Sequence, residues 1–179
     1  MAAPTGRLIR RDDGVYVVLD RIFHASIEEV WSYLSRSPRL ASWVGEFTGS
    51  PATGALRFRL NGDDAAWEDV SVLECEAPHR FAADIGRAGD SWRVYWHVVQ
   101  SGGHTTLTFG RRLGVLTDSS EGARWDYYLD RLVAVHDRTA LPRWEEYVPA
   151  MSRYYQMLAT LPLQERGTRQ NTAPAAGQG

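Results

Sequence analysis

Apolar residues recur with period two through the middle of the chain and with a helical period on either side of it. Val15 to Phe23, rich in β-branched and aromatic residues, predicts a strand. Ser26 followed three residues later by Glu29 forms a capping-box pattern, and Val30, Trp31 and Leu34 supply an apolar face for the helix it opens. Ser37-Pro38 predicts a second short helix through Trp43, with Pro38 where its missing N–H costs little and Gly45 and Gly49 as breakers. Five strand-like runs follow: Ala55 to Leu60, Ala66 to Cys75, Arg80 to Ile85, Ser91 to Gln100 and Thr105 to Leu113. The short turn-rich connections between them predict consecutive antiparallel hairpins rather than crossovers. Within Ser91 to Gln100, alternation puts Trp92, Val94, Trp96 and Val98 on one face and Arg93, Tyr95 and His97 on the other. From Glu121 to about Arg138 the period is helical, with Trp125, Leu129, Leu132 and His136 on one stripe. A last amphipathic segment follows Pro149, with Met151, Tyr154, Tyr155 and Leu158 on one face, and the chain beyond Leu163 is polar and small.

These elements predict an α+β fold. A curved antiparallel sheet of about six strands wraps around a long C-terminal helix, with two short helices after the first strand and an extra C-terminal helix. The expected organisation is one domain over 12–163, including the helical extension, and a disordered tail over 164–179. Met1 to Arg11 reads as a polar lead-in without the apolar core of a signal peptide.

Composition narrows the function. The formal net charge is −2 with both signs interspersed, so neither a nucleic-acid partner nor a membrane anchor is expected. All 20 basic residues are Arg, which excludes Schiff-base and lysine-base mechanisms. Cys75 is the single cysteine, which points to a reducing compartment and makes cytoplasm the expected location. The five histidines are scattered without metal-ligand spacing, and no phosphate loop, dinucleotide fingerprint or nucleophile elbow appears; no metal or cofactor is expected.

The order strand, two short helices, five strands, long helix resembles the START-like (SRPBCC) superfamily of helix-grip proteins. Within it, the chain is most similar to the homologues of the activator of heat-shock ATPase. Phe23-His24-Ala25-Ser26-Ile27-Glu28-Glu29-Val30-Trp31 resembles that family's first strand running into its first helix, and Leu40-Ala41-Ser42-Trp43 its second helix. Glu74 to Phe81, Gly103 to Phe109, and Trp125 with Leu129 and Leu132 are similar to the hairpin corner between its third and fourth strands, the start of its last strand and its terminal helix. The likeness covers roughly 15–138 and departs at His136, where the family carries an apolar residue. It implies a deep cavity, in a fold that serves carriers, aromatase/cyclase enzymes, toxin-neutralising proteins and co-chaperone domains, so the site must decide the function.

The expected ligand-binding residues are Trp43, Phe58, Trp96, Phe109, Trp125, Leu129, Leu132 and His136, converging between sheet and helix; the plainer reading is that they simply fill the core. His136 could serve as an acid/base, but a half-exposed histidine favoured by the helix dipole is the simpler account. Glu74 or Asp69 would face inward in one register, where burial would raise its pKa and suit proton abstraction, and outward after a one-residue slip; with Glu68 they are solvent-facing by default. Arg57, Arg59, Arg93 and Arg111 are solvated charges by default, and one turned inward could pair with a ligand carboxylate. The leading functional reading is binding of a small hydrophobic ligand (lipid, polyketide or similar metabolite) by a carrier, sequestering protein or sensor. The alternatives are a cofactor-independent cyclase/aromatase- or dehydratase-type enzyme and a co-chaperone-like interaction module. The module would use an exposed apolar patch around Trp144, Tyr147 and Tyr154, and the same addition is a candidate for a homodimer contact or a cap over the cavity.

Overall fold

The computed structural model describes residues 2–53, 55–62, 64–114 and 120–160. Among them, eight strands form one antiparallel sheet: β1 (Arg7–Arg11), β2 (Gly14–Phe23), β3 (Gly45–Thr48), β4 (Arg57–Leu60), β5 (Glu68–Glu76), β6 (Arg80–Arg87), β7 (Asp90–Ser101) and β8 (His104–Arg112). Their spatial order is β1-β2-β8-β7-β6-β5-β4-β3. The helices are α1 (Ile27–Ser35), α2 (Ser37–Ala41), α3 (Ser120–Asp137) and α4 (Ser152–Thr160).

The sheet therefore has eight strands where the sequence pattern predicts about six, and both additions are edges. β1, in the expected lead-in, reads RLIRR and is mostly exposed. Its register with β2, from Arg7↔Val18 to Arg11↔Gly14, comes from the tight Asp12-Asp13 turn rather than from apolar alternation. An edge strand with one solvated flank carries little periodic signal. β3 contains Gly45, expected as a breaker. A Cβ there would stand 2.3 Å from the Arg59 carbonyl oxygen, so glycine permits the close approach of β4 instead of ending an element.

α1 starts as its sequence dictates, with the Ser26 hydroxyl accepting from the Glu29 N–H at 3.2 Å and Ile27, Val30 and Leu34 buried. In β7, Trp92, Val94, Trp96 and Val98 join the main core. Tyr95 faces the other side and packs with Tyr16 and Val18, lying across Gly110, where a Cβ would stand 2.1 Å from the ring. On that outer face the Arg93 guanidinium donates from Nε and Nη2 to Asp84, each at 2.8 Å. This hydrogen bond outweighs the smaller effect of burial and holds the Asp84 carboxyl below its ordinary 3.8. A lowered carboxylate pKa contributes stability that is present above 3.8 and lost as pH falls through the lowered value. Arg93→Leu should therefore flatten the stability–pH curve as pH falls below 3.8, as read from urea midpoints across the acid range.

α3 spans 18 residues, roughly 27 Å, along the inner face of the sheet. Trp125 stacks on Phe109 of β8 with ring centroids 4.2 Å apart, and Leu129 and Leu132 are fully buried. A polar clamp fixes the helix. Arg21 occupies an inward position of β2, between Leu19 and Phe23, and is only 8% exposed. It donates to Asp130 Oδ1 at 2.8 Å, Asp126 Oδ1 at 2.9 Å and the Thr5 hydroxyl at 2.9 Å. Asp126, fully buried, also accepts from Thr5 N–H at 3.1 Å and from the Tyr155 hydroxyl, while the Tyr147 hydroxyl donates to Asp130 at 2.6 Å. Burial opposes the Arg21 charge, but the two carboxylates, Asp130 foremost, raise its pKa above the ordinary guanidinium value. Burial, then Asp126, likewise pushes the Tyr155 hydroxyl upward.

The C-terminal addition is thus part of the same body. Tyr147, Met151 and Tyr155 are buried, and Trp144 packs edge-on against Tyr127 at 5.0 Å. The apolar patch expected around Trp144, Tyr147 and Tyr154 is largely consumed within the chain: Tyr154 donates to the Gly6 carbonyl at 2.9 Å. The expected tail over 164–179 lies outside the described residues.

Candidate functional site

The inner face of the sheet does not close on the helix along its whole length. A cavity of about 440 Å³ remains between α1, α2, the β3–β4 edge and the middle of the sheet. Trp31 and Leu34 of α1 close one side, Phe47 and Phe58 another, and Trp92 and Trp96 form the floor. Trp125 closes the end beneath the start of α3. The rings brace one another: Phe81 stacks on Trp96 at 5.7 Å and 19°, Phe58 meets Trp92 edge-on at 6.3 Å, and Trp92 leans on Trp125 at 6.1 Å. Such contacts hold aromatic walls in place without needing a ligand.

Of the eight expected ligand-binding residues, Phe58, Trp96 and Trp125 stand in this wall. Phe109 lies one layer behind, between Trp96 and Trp125. Leu129 and Leu132 are fully buried core residues. The cavity lies under the beginning of α3 only, so the helical stripe leaves it after Trp125. Trp43 is buried beneath α2, where its indole N–H donates to the Tyr33 carbonyl at 3.0 Å. His136 sits in the last turn of α3, away from the cavity wall. Its ring meets Phe23 and Tyr33 edge-on, and its Nδ1 is 2.7 Å from Asp137.

Sequence reasoning left out Trp31, Leu34, Phe47, Phe81 and Trp92. The alternation of β7 already places Trp92 on the same face as Trp96, which was signal enough for it. Phe47 belongs to the unexpected strand β3, and Phe81 reaches the wall through its register opposite Trp96.

The charged candidates stay out of the cavity for identifiable reasons. A bulge between Val72 and Glu74 reverses the phase of β5. Val70 and Val72 pair with the inward Ile85 and Ala83, but Glu74 pairs with the outward Ala82 and Cys75 takes the inward place beside Phe81. Asp69 is 71% exposed and meets Arg57 at 3.4 Å. Glu68, opposite Phe58, lies just outside the wall and accepts the Trp92 indole N–H at 3.1 Å. Arg59 pairs with Glu46, and Arg93 with Asp84 and Asp13. Arg111 turns inward but sits behind Trp92, 4.7 Å from its ring centroid and 2.6 Å from Glu121. Burial lowers its pKa, and Glu121 offsets part of that effect.

Chemically, the site offers apolar surface and shape. Among the described residues, no charged side chain lines it, and no group of three His, Cys, Asp or Glu is placed to hold a metal ion. The Trp125 indole nitrogen is buried with no hydrogen-bond partner among the described residues, and is closed off from the cavity. No helix among them is long and apolar enough to cross a membrane.

Comparison with known proteins agrees with this architecture. CalU16 from Micromonospora echinospora superposes with a TM-score of 0.68 at 18% identity, covering 88% of this chain and 97% of its own. A conserved protein of unknown function from Enterococcus faecalis, EF2215, gives 0.67 at 18% identity over 87% and 90%. DynU16, a protein of the dynemicin biosynthetic locus, gives 0.58 at 22% identity over 72% of this chain and 49% of its own. At these identities the likeness is one of fold. No curated protein matches the chain. The family model described as "Activator of Hsp90 ATPase homolog 1-like protein" matches residues 24–137, from the end of β2 to the end of α3. The chain thus belongs to the family of activator-of-Hsp90-ATPase homologue 1-like proteins, within the START-like (SRPBCC) class.

Proposed function

We propose that the protein binds a small hydrophobic molecule in the cavity, as a carrier, sequestering protein or sensor. The observation that carries this reading is an aromatic-walled space of about 440 Å³ inside a structure whose other inner positions are packed. That volume falls in the ordinary range of small-molecule sites, roughly 300–1,000 Å³. The wall is almost wholly apolar, so displacing water from it by an apolar molecule is favourable. The fold's occurrence in DynU16, from a biosynthetic locus, supports a setting in small-molecule metabolism.

A cyclase- or dehydratase-type enzyme needs a proton-handling side chain against its substrate. His136, Glu74 and Asp69 stand elsewhere, so binding is the better-supported reading. An interaction module built on Trp144, Tyr147 and Tyr154 is weakened because those rings pack within the chain.

Titration with Nile red, a neutral solvatochromic dye, tests the proposal. Saturable one-to-one binding with a blue-shifted emission is the expected result. Emission that rises linearly without saturating, as for loose surface adsorption, would count against it.

A further inference from the structure

The distribution of charge around the cavity says more about its occupant than hydrophobicity alone. Two hydroxyls reach the wall, and both are engaged locally. Ser35 donates to the Trp31 carbonyl at 2.9 Å, and Ser50 accepts from the Ala52 N–H at 3.2 Å. The inward cation, Arg111, lies against the Trp92 ring, ion-paired with Glu121; its Nη1 has no hydrogen-bond partner among the described residues but is closed off from the space. At its other edge, the Trp92 indole N–H donates to the Glu68 carboxylate, which is negative.

We infer that the cavity selects uncharged aromatic or polycyclic molecules and excludes the corresponding carboxylates. This deepens the ligand-binding reading above and rests on it. An ionised carboxylate entering this space loses its water and meets apolar surface, with no cation among the described lining residues to replace the hydration. The Trp125 indole nitrogen is neutral and closed off even from a water molecule, so it does not offset desolvation of a full charge. Glu68, one ring away, adds repulsion in a low-dielectric setting. The braced rings Phe81, Trp96, Trp92 and Trp125 present flat faces and suit planar ligands that stack. Ionised fatty acids fail on both counts, charge and shape.

The test is a matched pair of probes at pH 7.5, 9-anthracenemethanol and 9-anthracenecarboxylate, each titrated into the full chain and followed by anthracene fluorescence anisotropy. The two share one ring system and differ in charge. The alcohol is expected to bind at least tenfold more tightly. Equal affinity, or preference for the carboxylate, would overturn the charge selection while leaving hydrophobic binding in place. Failure of both probes to bind would instead overturn the ligand-binding reading, and the charge selection with it.

Discussion

Asp126→Ala is expected to lower the folding free energy by about 3–5 kcal/mol, the usual cost of removing one partner from a buried ion pair. Asp126 is fully buried and accepts from Arg21, from the Thr5 backbone and from the Tyr155 hydroxyl. Its removal leaves the guanidinium with Asp130 as its remaining carboxylate partner and takes the acceptor from the Thr5 N–H, the Thr5 hydroxyl and the Tyr155 hydroxyl. Asp126→Asn keeps an acceptor oxygen and loses the charge, so it should fall between wild type and alanine. Urea unfolding measures both. Because the clamp joins the N-terminal residues, α3 and the C-terminal addition, hydrogen exchange should quicken first in α4 and β1. A loss below about 1 kcal/mol would mean that the network contributes no more than an exposed pair.

The second large effect concerns the cavity. Val70 projects into it from β5, half-buried. Val70→Trp should fill much of the space and weaken binding of Nile red at least tenfold, at a stability cost of about 1–3 kcal/mol from overpacking. The substitution separates site from scaffold: affinity collapses while the urea midpoint moves only modestly. Unchanged affinity in a folded Val70→Trp protein would place the dye elsewhere.

The parts of the fold legible in the sequence are those whose local pattern and tertiary role agree. Ser26 and Glu29 mark the start of α1, and the alternation of β7 sorts its two faces, because burial follows the period of the element. The edge strands escaped notice because β1 and β3 are fixed by their neighbours: a tight turn in one case and the approach of β4 to Gly45 in the other. Glu74 shows why the polar lining could not be assigned. Its outward place depends on a single bulge at Val72/Glu74, invisible in the strand's residue pattern. Arg21 stands where its strand's alternation calls for an apolar residue, an anomaly visible in the sequence. Its meaning emerged only when β2 and α3 were set face to face, with Asp126 and Asp130 one helical turn apart. The extent of the cavity was hidden for the same kind of reason. The stripe Trp125, Leu129, Leu132 and His136 is real on the helix, yet the space beneath it ends after the first of them.

The central claim is that a hydrophobic ligand occupies the cavity under the start of α3. The most direct measurement is a nitrogen–proton correlation spectrum of the seven tryptophan indoles as a neutral aromatic ligand is added. Trp31, Trp92, Trp96 and Trp125 line the space, whereas Trp43, Trp67 and Trp144 do not. The prediction is that the first four signals shift together and saturate while the other three stay in place. Shifts confined to Trp67 and Trp144, or none at saturating ligand, would contradict it.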